Sequence, residues 1–297
     1  MSPQKILRNR IGQNKILITP GIFDAFGAMM AERAGFEAIY LSGASIAYTK
    51  LGRPDIGLVT LDELASVVGT IRERTDIPII VDADTGFGNA LNVQRAVRLL
   101  ERNGASAIQL EDQSLPKRCG HLDGKTLITE DEMTGKVQAA LDARRDKDTI
   151  IVARTDAIAV EGYDSAMDRA FGYFEAGADV LFIEAMQNTE QITDAVEKFR
   201  GKIPLLVNMV EGGKTPMAPA SELEKKGFSI VIFPGALVRV LAQAAENYFN
   251  SLLKHGSTLN YQSEMFDFDE LNELLGTDKM LELGNRYAGG ANYNEKS

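Results

Sequence analysis

Arg102-Asn103-Gly104-Ala105-Ser106-Ala107-Ile108-Gln109-Leu110-Glu111 decides how the rest of this chain is read. Its first half closes an amphipathic stretch, Asn92–Asn103, with a glycine where a helix ends in a left-handed turn. Its second half is an apolar run that finishes on an acid. The phrase recurs as Arg33-Ala-Gly-Phe-Glu-Ala, Phe174-Glu-Ala-Gly-Ala-Asp and Lys226-Gly-Phe-Ser. Helix, glycine and strand in repetition are the punctuation of an α/β fold.

Outward from that phrase lie eight short apolar runs: Ile16–Thr19, Ala38–Leu41, Ile77–Val81, Ala107–Leu110, Thr149–Ala153, Val180–Ile183, Ile203–Val207 and Ile230–Phe233. Near-continuous apolar runs mark strands covered on both faces, as in a parallel sheet. Amphipathic segments alternate with them, including Leu61–Arg74, Glu130–Arg145 and Ser165–Ala176. Eight such units over about 250 residues predict a (β/α)8 TIM barrel, whose active site forms at the C-terminal ends of the strands. A doubly wound open sheet would call for a glycine-rich dinucleotide loop. Asp84-Thr-Gly-Phe-Gly lacks the third glycine, so the barrel is the expectation. The barrel is expected over residues 1–256. A C-terminal helical extension over 257–297 follows, including the acidic stretch Phe266–Leu275, to pack on its own barrel or on a neighbouring subunit.

The 297 residues carry a net charge of −10, which argues against a nucleic-acid surface or an anionic membrane partner. The lone cysteine forms no internal disulfide and fits a reducing cytoplasm. The polar N-terminus lacks the apolar core of a signal peptide, and no run has the roughly 18 apolar residues of a membrane span. A cytoplasmic location is the expectation.

In a barrel the residues after each run converge on one rim. They are Ser42-Gly43, Asp82 and Asp84, Glu111-Asp112, Arg154 and Asp156, Glu184, Asn208 with Glu211, and Pro234. Any one of these acids alone reads as a solvated loop residue or a helix cap. Carboxylates from several strands at one rim repel each other without a cation between them. An oxygen-rich set with no His or Cys cluster suits Mg2+, with Mn2+ as the alternate, over zinc. Arg154 reads as a clamp for a carboxylate or phosphate, or as the ion-pair partner of a rim aspartate. Tyr40 is placed either to exchange a proton or to sit in the core with its hydroxyl satisfied.

Lys117-Arg118-Cys119-Gly120-His121 follows the fourth run and holds the only cysteine and one of two histidines. Two basic residues and an imidazole beside a thiol are influences that lower its pKa.

Together, Tyr40-Leu-Ser-Gly, Asp82-Ala-Asp-Thr-Gly-Phe-Gly, Glu111-Asp-Gln, Lys117-Arg-Cys-Gly-His and Ala153-Arg-Thr-Asp-Ala resemble the isocitrate lyase/phosphoenolpyruvate mutase superfamily over nearly the whole chain. The likeness is to its short lyase branch: 2-methylisocitrate lyase, 2,3-dimethylmalate lyase, petal death protein and oxaloacetate hydrolase. The resemblance implies a barrel with its last helix exchanged between subunits of a homotetramer, Mg2+ as cofactor, and a small di- or tricarboxylate substrate. It implies that Asp84 binds the metal directly while Asp55, Asp82 and Glu111 act largely through water. Ser42, Gly43 and Arg154 would hold the substrate carboxylate, Gly120 would let the loop fold over it, and Glu184, Asn208 and Glu211 would complete the pocket. Cys119 would be the acid/base, Lys117 and His121 its electrostatic partners, and Tyr40 a second proton-transfer group. The implied reaction is carbon–carbon cleavage of a 2-substituted malate to a 2-oxo acid and a carboxylate through an enolate.

Two positions depart from methylisocitrate lyases, which commonly carry His where Gln109 stands and Thr-Glu-Phe-Gly where this chain has Val210-Glu-Gly-Gly-Lys-Thr-Pro. Loss of a bulky wall at Gly212 favours a smaller 2-alkylmalate or oxaloacetate. Phosphoenolpyruvate mutases lack the cysteine motif, whereas carboxyvinyl-carboxyphosphonate phosphonomutase stays an alternative beside oxaloacetate hydrolase. An inactive scaffold would lack the carboxylates or the thiol, and both are present.

Overall fold

The computed structural model describes residues 1–288. Eight parallel strands close into one barrel in chain order: β1 (Leu17–Ile22), β2 (Ile39–Leu41), β3 (Ile79–Asp82), β4 (Ala107–Glu111), β5 (Ile150–Thr155), β6 (Val180–Ile183), β7 (Leu205–Asn208) and β8 (Ile230–Phe233). This is the expected (β/α)8 barrel, not a doubly wound sheet. The sixth and eighth apolar runs match their strands to the residue. The fourth and fifth strands continue past their runs into Glu111 and into Arg154-Thr155, because inward-facing polar residues end the apolar pattern before the ladder ends. β1 also runs beyond Thr19, through Pro20. That proline sits where β1 stops pairing with β8 and starts pairing with β2. Closure there requires Gly21, since a Cβ at this position would overlap the backbone of Pro234.

The helices are α1 (Pro3–Ile11), α2 (Ala25–Arg33), α3 (Gly43–Ile46), α4 (Leu61–Arg74), α5 (Ala90–Arg102), α6 (Glu130–Ala143), α7 (Tyr163–Glu175), α8 (Thr189–Phe199), α9 (Ala220–Lys226), α10 (Ala236–His255), α11 (Phe268–Leu275) and α12 (Thr277–Tyr287). Their starts are written locally: Thr60 with Glu63 and Asn89 with Asn92 form capping boxes on α4 and α5. At the end of α5, Gly104 takes a φ of 105°, the left-handed stop on which the opening phrase depends.

Strand side chains alternate, so each strand feeds two cores. Ile79, Val81, Ile108, Leu110, Ile151 and Ala153 belong to the outer layer under the helices. Ile80, Ala107, Ile150, Val152, Val180, Phe182, Leu206 and Ile230 fill the barrel, where Leu7 and Ile11 of α1 join them as a plug. Burial of each such side chain stabilises the fold by about 1.5–3 kcal/mol. Following the inward face toward the strand ends leads to Asp82, Glu111, Arg154, Glu184 and Asn208. One alternation thus builds both the core and the rim.

By its contacts the chain forms two compact units, Met1–Arg239 and Val240–Ser297, with the division inside α10. The expected boundary at 256/257 falls instead just past the end of that helix. Within the second unit, Tyr248 and Tyr261 stack edge to face at 5.5 Å, and Leu274 is buried. Phe268 and Leu253 are exposed there. The end of the extension, residues 289–297, lies outside the described residues. Among the described residues no helix is long and apolar enough to cross a membrane.

Candidate active site

At the strand ends a pocket is lined by Tyr40, Ser42, Asp55, Asp82, Cys119, Gly120, His121, Arg154, Glu184 and Asn208, and also by Tyr48, by Val210 and Pro234 of the β7 and β8 loops, and by Arg239. Most of the rim residues read from the sequence therefore meet. Tyr48 and Arg239 were not anticipated, because they lie on helical turns well past β2 and β8, where no strand-end rule points.

Arg154 projects inward from β5 and is held on three sides. Its Nε and Nη2 donate to Asp156 at 2.9 and 3.0 Å, its Nη1 lies 3.3 Å from Glu111 Oε2, and it sits over the Phe182 ring at 5.1 Å. Of its two expected roles, the structure shows Arg154 as the ion-pair partner of rim carboxylates. Asp156 is oriented in turn by Asp112, whose carboxylate accepts the Asp156 N–H and the hydroxyls of Thr155 and Tyr173 at 2.7–2.9 Å. Glu111 and Asp112, adjacent in sequence, point to opposite sides of the sheet. Only the first faces the barrel.

Glu184 lies 3.0 Å from His121 Nε2 and accepts from Asn208 Nδ2 at 3.3 Å. Burial alone would raise its pKa. The Arg154 charge, His121 and the Asn208 amide outweigh burial and hold it at about 2.

Lys117 reaches away from the thiol, with its ammonium 2.6 Å from both Asp55 Oδ1 and Asp84 Oδ1. Burial opposes its charge, and the carboxylates of Asp84, Glu111, Asp55 and Asp82 more than compensate. Asp84 has a φ of 49°, a left-handed conformation uncommon outside glycine. Burial pushes its carboxyl up to about 6 against the pull of Lys117, with Asp82 and Asp55 adding to the rise. Burial likewise raises Glu111 well above the ordinary carboxylate range.

Cys119 corrects the expectation of an acidified thiol. Burial raises its pKa, and the backbone hydrogen bond from His121 only partly offsets this. The physical reason is direction: Lys117 serves Asp55 and Asp84, Arg118 Nη1 donates to the Asp123 carbonyl, and His121 faces Glu184. Charges adjacent in sequence are spent elsewhere in space. The loop is pinned down by the Cys119 N–H on the Asp55 carbonyl, by Gln113 against Arg118, and by Lys125 Nζ on the Gly120 carbonyl. A Cβ on Gly120 would run into Arg154 Nη2 and approach Glu184 Cγ to 2.7 Å. Close approach, rather than flexibility alone, accounts for that glycine. The β7 loop meets the same lid, as the Lys214 N–H donates to His121 Nδ1 at 3.1 Å.

Glu211 does not reach the pocket. It is about half exposed and paired with Arg239 at 2.8 Å. Gly43 is buried beside Asp84 but is not a wall of the pocket. Gln109 also stands behind the wall, and acts through Tyr40 and Asp82. Tyr40 donates to Gln109 Oε1 at 3.0 Å, and burial, with the Asp82 charge, lifts its phenol well above the ordinary range.

Among the described residues no three His, Cys, Asp or Glu side chains form a group compact enough to hold a metal directly. Glu111 Oε1 is nonetheless buried without an aligned hydrogen-bond donor, and Asp84 Oδ1 has only the Lys117 ammonium beside it. Such an all-oxygen set fits a hard cation that keeps most of its waters.

A closed barrel with an arginine, buried carboxylates and a thiol-bearing loop at the C-terminal rim is the layout of a TIM-barrel enzyme. The profile of the family described as phosphoenolpyruvate phosphomutase matches residues 7–253. The chain is 41% identical to the 2,3-dimethylmalate lyase of Eubacterium barkeri, over 96% of this chain and 98% of that one. It is 46% identical to the 2-methylisocitrate lyase of Aeropyrum pernix, over 92% and 87%. Among solved structures, oxaloacetate acetylhydrolase in complex with 3,3-difluorooxalacetate superposes with a TM-score of 0.91 at 32% identity, covering 98% of each chain. Phosphonopyruvate hydrolase in complex with oxalate and Mg2+ gives 0.87 at 29% identity, over 97% and 99%. The chain belongs to the phosphoenolpyruvate mutase/isocitrate lyase superfamily.

Proposed function

We propose that this protein is a carbon–carbon lyase that cleaves a 2-substituted malate, of the 2,3-dimethylmalate or 2-methylisocitrate type, into a 2-oxo acid and a carboxylate. The observation that carries this reading is Cys119, held over a pocket whose walls include Arg154, Ser42, Asn208 and Glu184. Arg154 binds a substrate carboxylate with Ser42, and Asn208 and Glu184 close the opposite side. Breaking the C2–C3 bond turns the alcohol carbon into the new ketone and leaves the bond's electrons as an enolate on the departing carboxylate. A thiol raised by burial stays protonated, so Cys119 is equipped to give that enolate carbon a proton. The proton lost by the alcohol balances the one Cys119 donates. The pinned loop excludes water, which strengthens each charge interaction at the enolate.

Asp84, supported by Asp55, Asp82 and Glu111, would hold a divalent cation, Mg2+ or Mn2+, which when bound polarises the alcohol and carboxylate oxygens as a Lewis acid. Lys117 balances those carboxylates, and His121 keeps the lid registered on Glu184. The exposed Leu253 and Phe268 support a homotetramer with exchanged C-terminal helices, which light scattering on the full chain tests. A cytoplasmic location rests on the single cysteine.

Oxaloacetate hydrolysis is the second reading, favoured by the 0.91 superposition on oxaloacetate acetylhydrolase. A panel of 2,3-dimethylmalate, 2-methylisocitrate, oxaloacetate and a phosphonate, each with Mg2+, separates the two. A 2-oxo acid from either malate with the highest kcat/KM supports the lyase. Oxalate formed from oxaloacetate at a higher kcat/KM overturns it.

A further inference from the structure

We infer that Tyr40 faces the pocket as a hydrogen-bond acceptor, with its hydrogen consumed by Gln109, so that the substrate group lodged against it is an alcohol O–H and not a keto oxygen. This deepens the lyase reading and rests on it.

The polarity follows from three consecutive hydrogen bonds. Asp82 Oδ1 accepts the backbone N–H of Asp84 at 3.3 Å. A main-chain N–H only donates, so that oxygen is an acceptor. The Gln109 atom 3.1 Å from the same oxygen is therefore the amide nitrogen, since a carbonyl there would set two acceptors face to face. With Nε2 on Asp82, Oε1 faces Tyr40, and the phenol donates to it at 3.0 Å. A tyrosine hydroxyl has one hydrogen, and what remains toward the pocket is lone-pair density.

The chain of bonds is braced. Tyr40 and Gln109 are at most 1% exposed. Their strands are in fixed register, with Tyr40 opposite Ile80 and Asp82 opposite Gln109. Reversing the amide would break both of its bonds at once. A ligand alcohol completes the sequence by donating to Tyr40. A ligand carbonyl at that point meets an acceptor and leaves two buried groups unpaired, a loss worth roughly 10- to 100-fold in affinity. The sieve thus disfavours the keto form of oxaloacetate and favours a substituted malate. Gln109, outside the pocket wall, is a positioning residue that sets this preference through Tyr40.

The test is calorimetric binding of 2-hydroxyglutarate and 2-oxoglutarate to the full chain with saturating Mg2+, in wild type, Gln109→Leu and Tyr40→Phe. The expected result is a preference of about 10-fold or more for the hydroxy acid in wild type, collapsing toward parity in both variants. Reading each variant as a ratio removes a general loss of packing, which weakens both ligands alike. Two backgrounds keep the test intact if one variant misfolds. Equal affinities in wild type, or a preference unchanged in Gln109→Leu and Tyr40→Phe, overturn the inference and leave the lyase reading standing. Failure of both ligands to bind wild type overturns this inference, whereas the lyase reading falls only if neither substituted malate of the panel is cleaved.

Discussion

The lower and upper halves of the barrel interior come from the same strands and the same inward face, two or four residues apart, yet they behave as opposites. Below, Ile80, Ala107, Ile150, Val180, Leu206 and Ile230 pack with Leu7 and Ile11 into an apolar core. Above, Asp82, Glu111, Arg154, Glu184 and Asn208 are also buried but are charged or polar. The lower half supplies stability through apolar burial. The upper half places Asp84 and Glu111 where burial opposes their charge, a local penalty that Lys117 and Arg154 only partly offset. Stability and chemistry are therefore separable along one strand.

The sharpest break of this comparison is Cys119→Ala. Loss of the proton donor is expected to lower kcat about 10²- to 10⁴-fold, with the melting temperature unchanged; near-parent turnover would take the thiol out of the chemistry. Ile150→Ala probes the other half. It should lose about 2–5 kcal/mol of unfolding free energy while kcat/KM per folded molecule holds, and urea titration beside an active-site assay reports both.

Glu184→Gln tests whether the upper half contains any stabilising charge. The folded carboxylate lies at about 2, below its ordinary 4.5, so its contribution is present above that ordinary value and lost as pH falls toward 2. Wild type should exceed Glu184→Gln by about 3 kcal/mol at pH 7, and the gap should close on acidification. A gap that does not change with pH would mean that packing, not charge, holds the site. The smallest effect belongs to Glu211→Gln at the exposed pair with Arg239. It should cost less than about 1 kcal/mol, vanish in high salt and leave KM unchanged. A raised KM would return Glu211 to the pocket.

The strand-end rule located the rim because inward parity is a property of sequence: once β5 is known, Val152 inside implies Arg154 inside. The same rule places Asp112 outside, where it supports Asp156 from behind. Parity could not locate Asp84, which lies past the end of β3 in a left-handed turn, nor Lys117, whose direction depends on how the loop folds back. For Cys119 the sequence was misleading, since its basic neighbours point to partners on other elements.

Sequence by itself determined the eight-fold alternation, the helix stops and the chemical types brought to the rim, because periodicity and capping are local. Only the tertiary structure decided which charges face one another, how far burial shifts them and which way the Tyr40 hydrogen points. Those follow from distance and solvent exclusion between residues far apart in the chain, and neither is written in spacing.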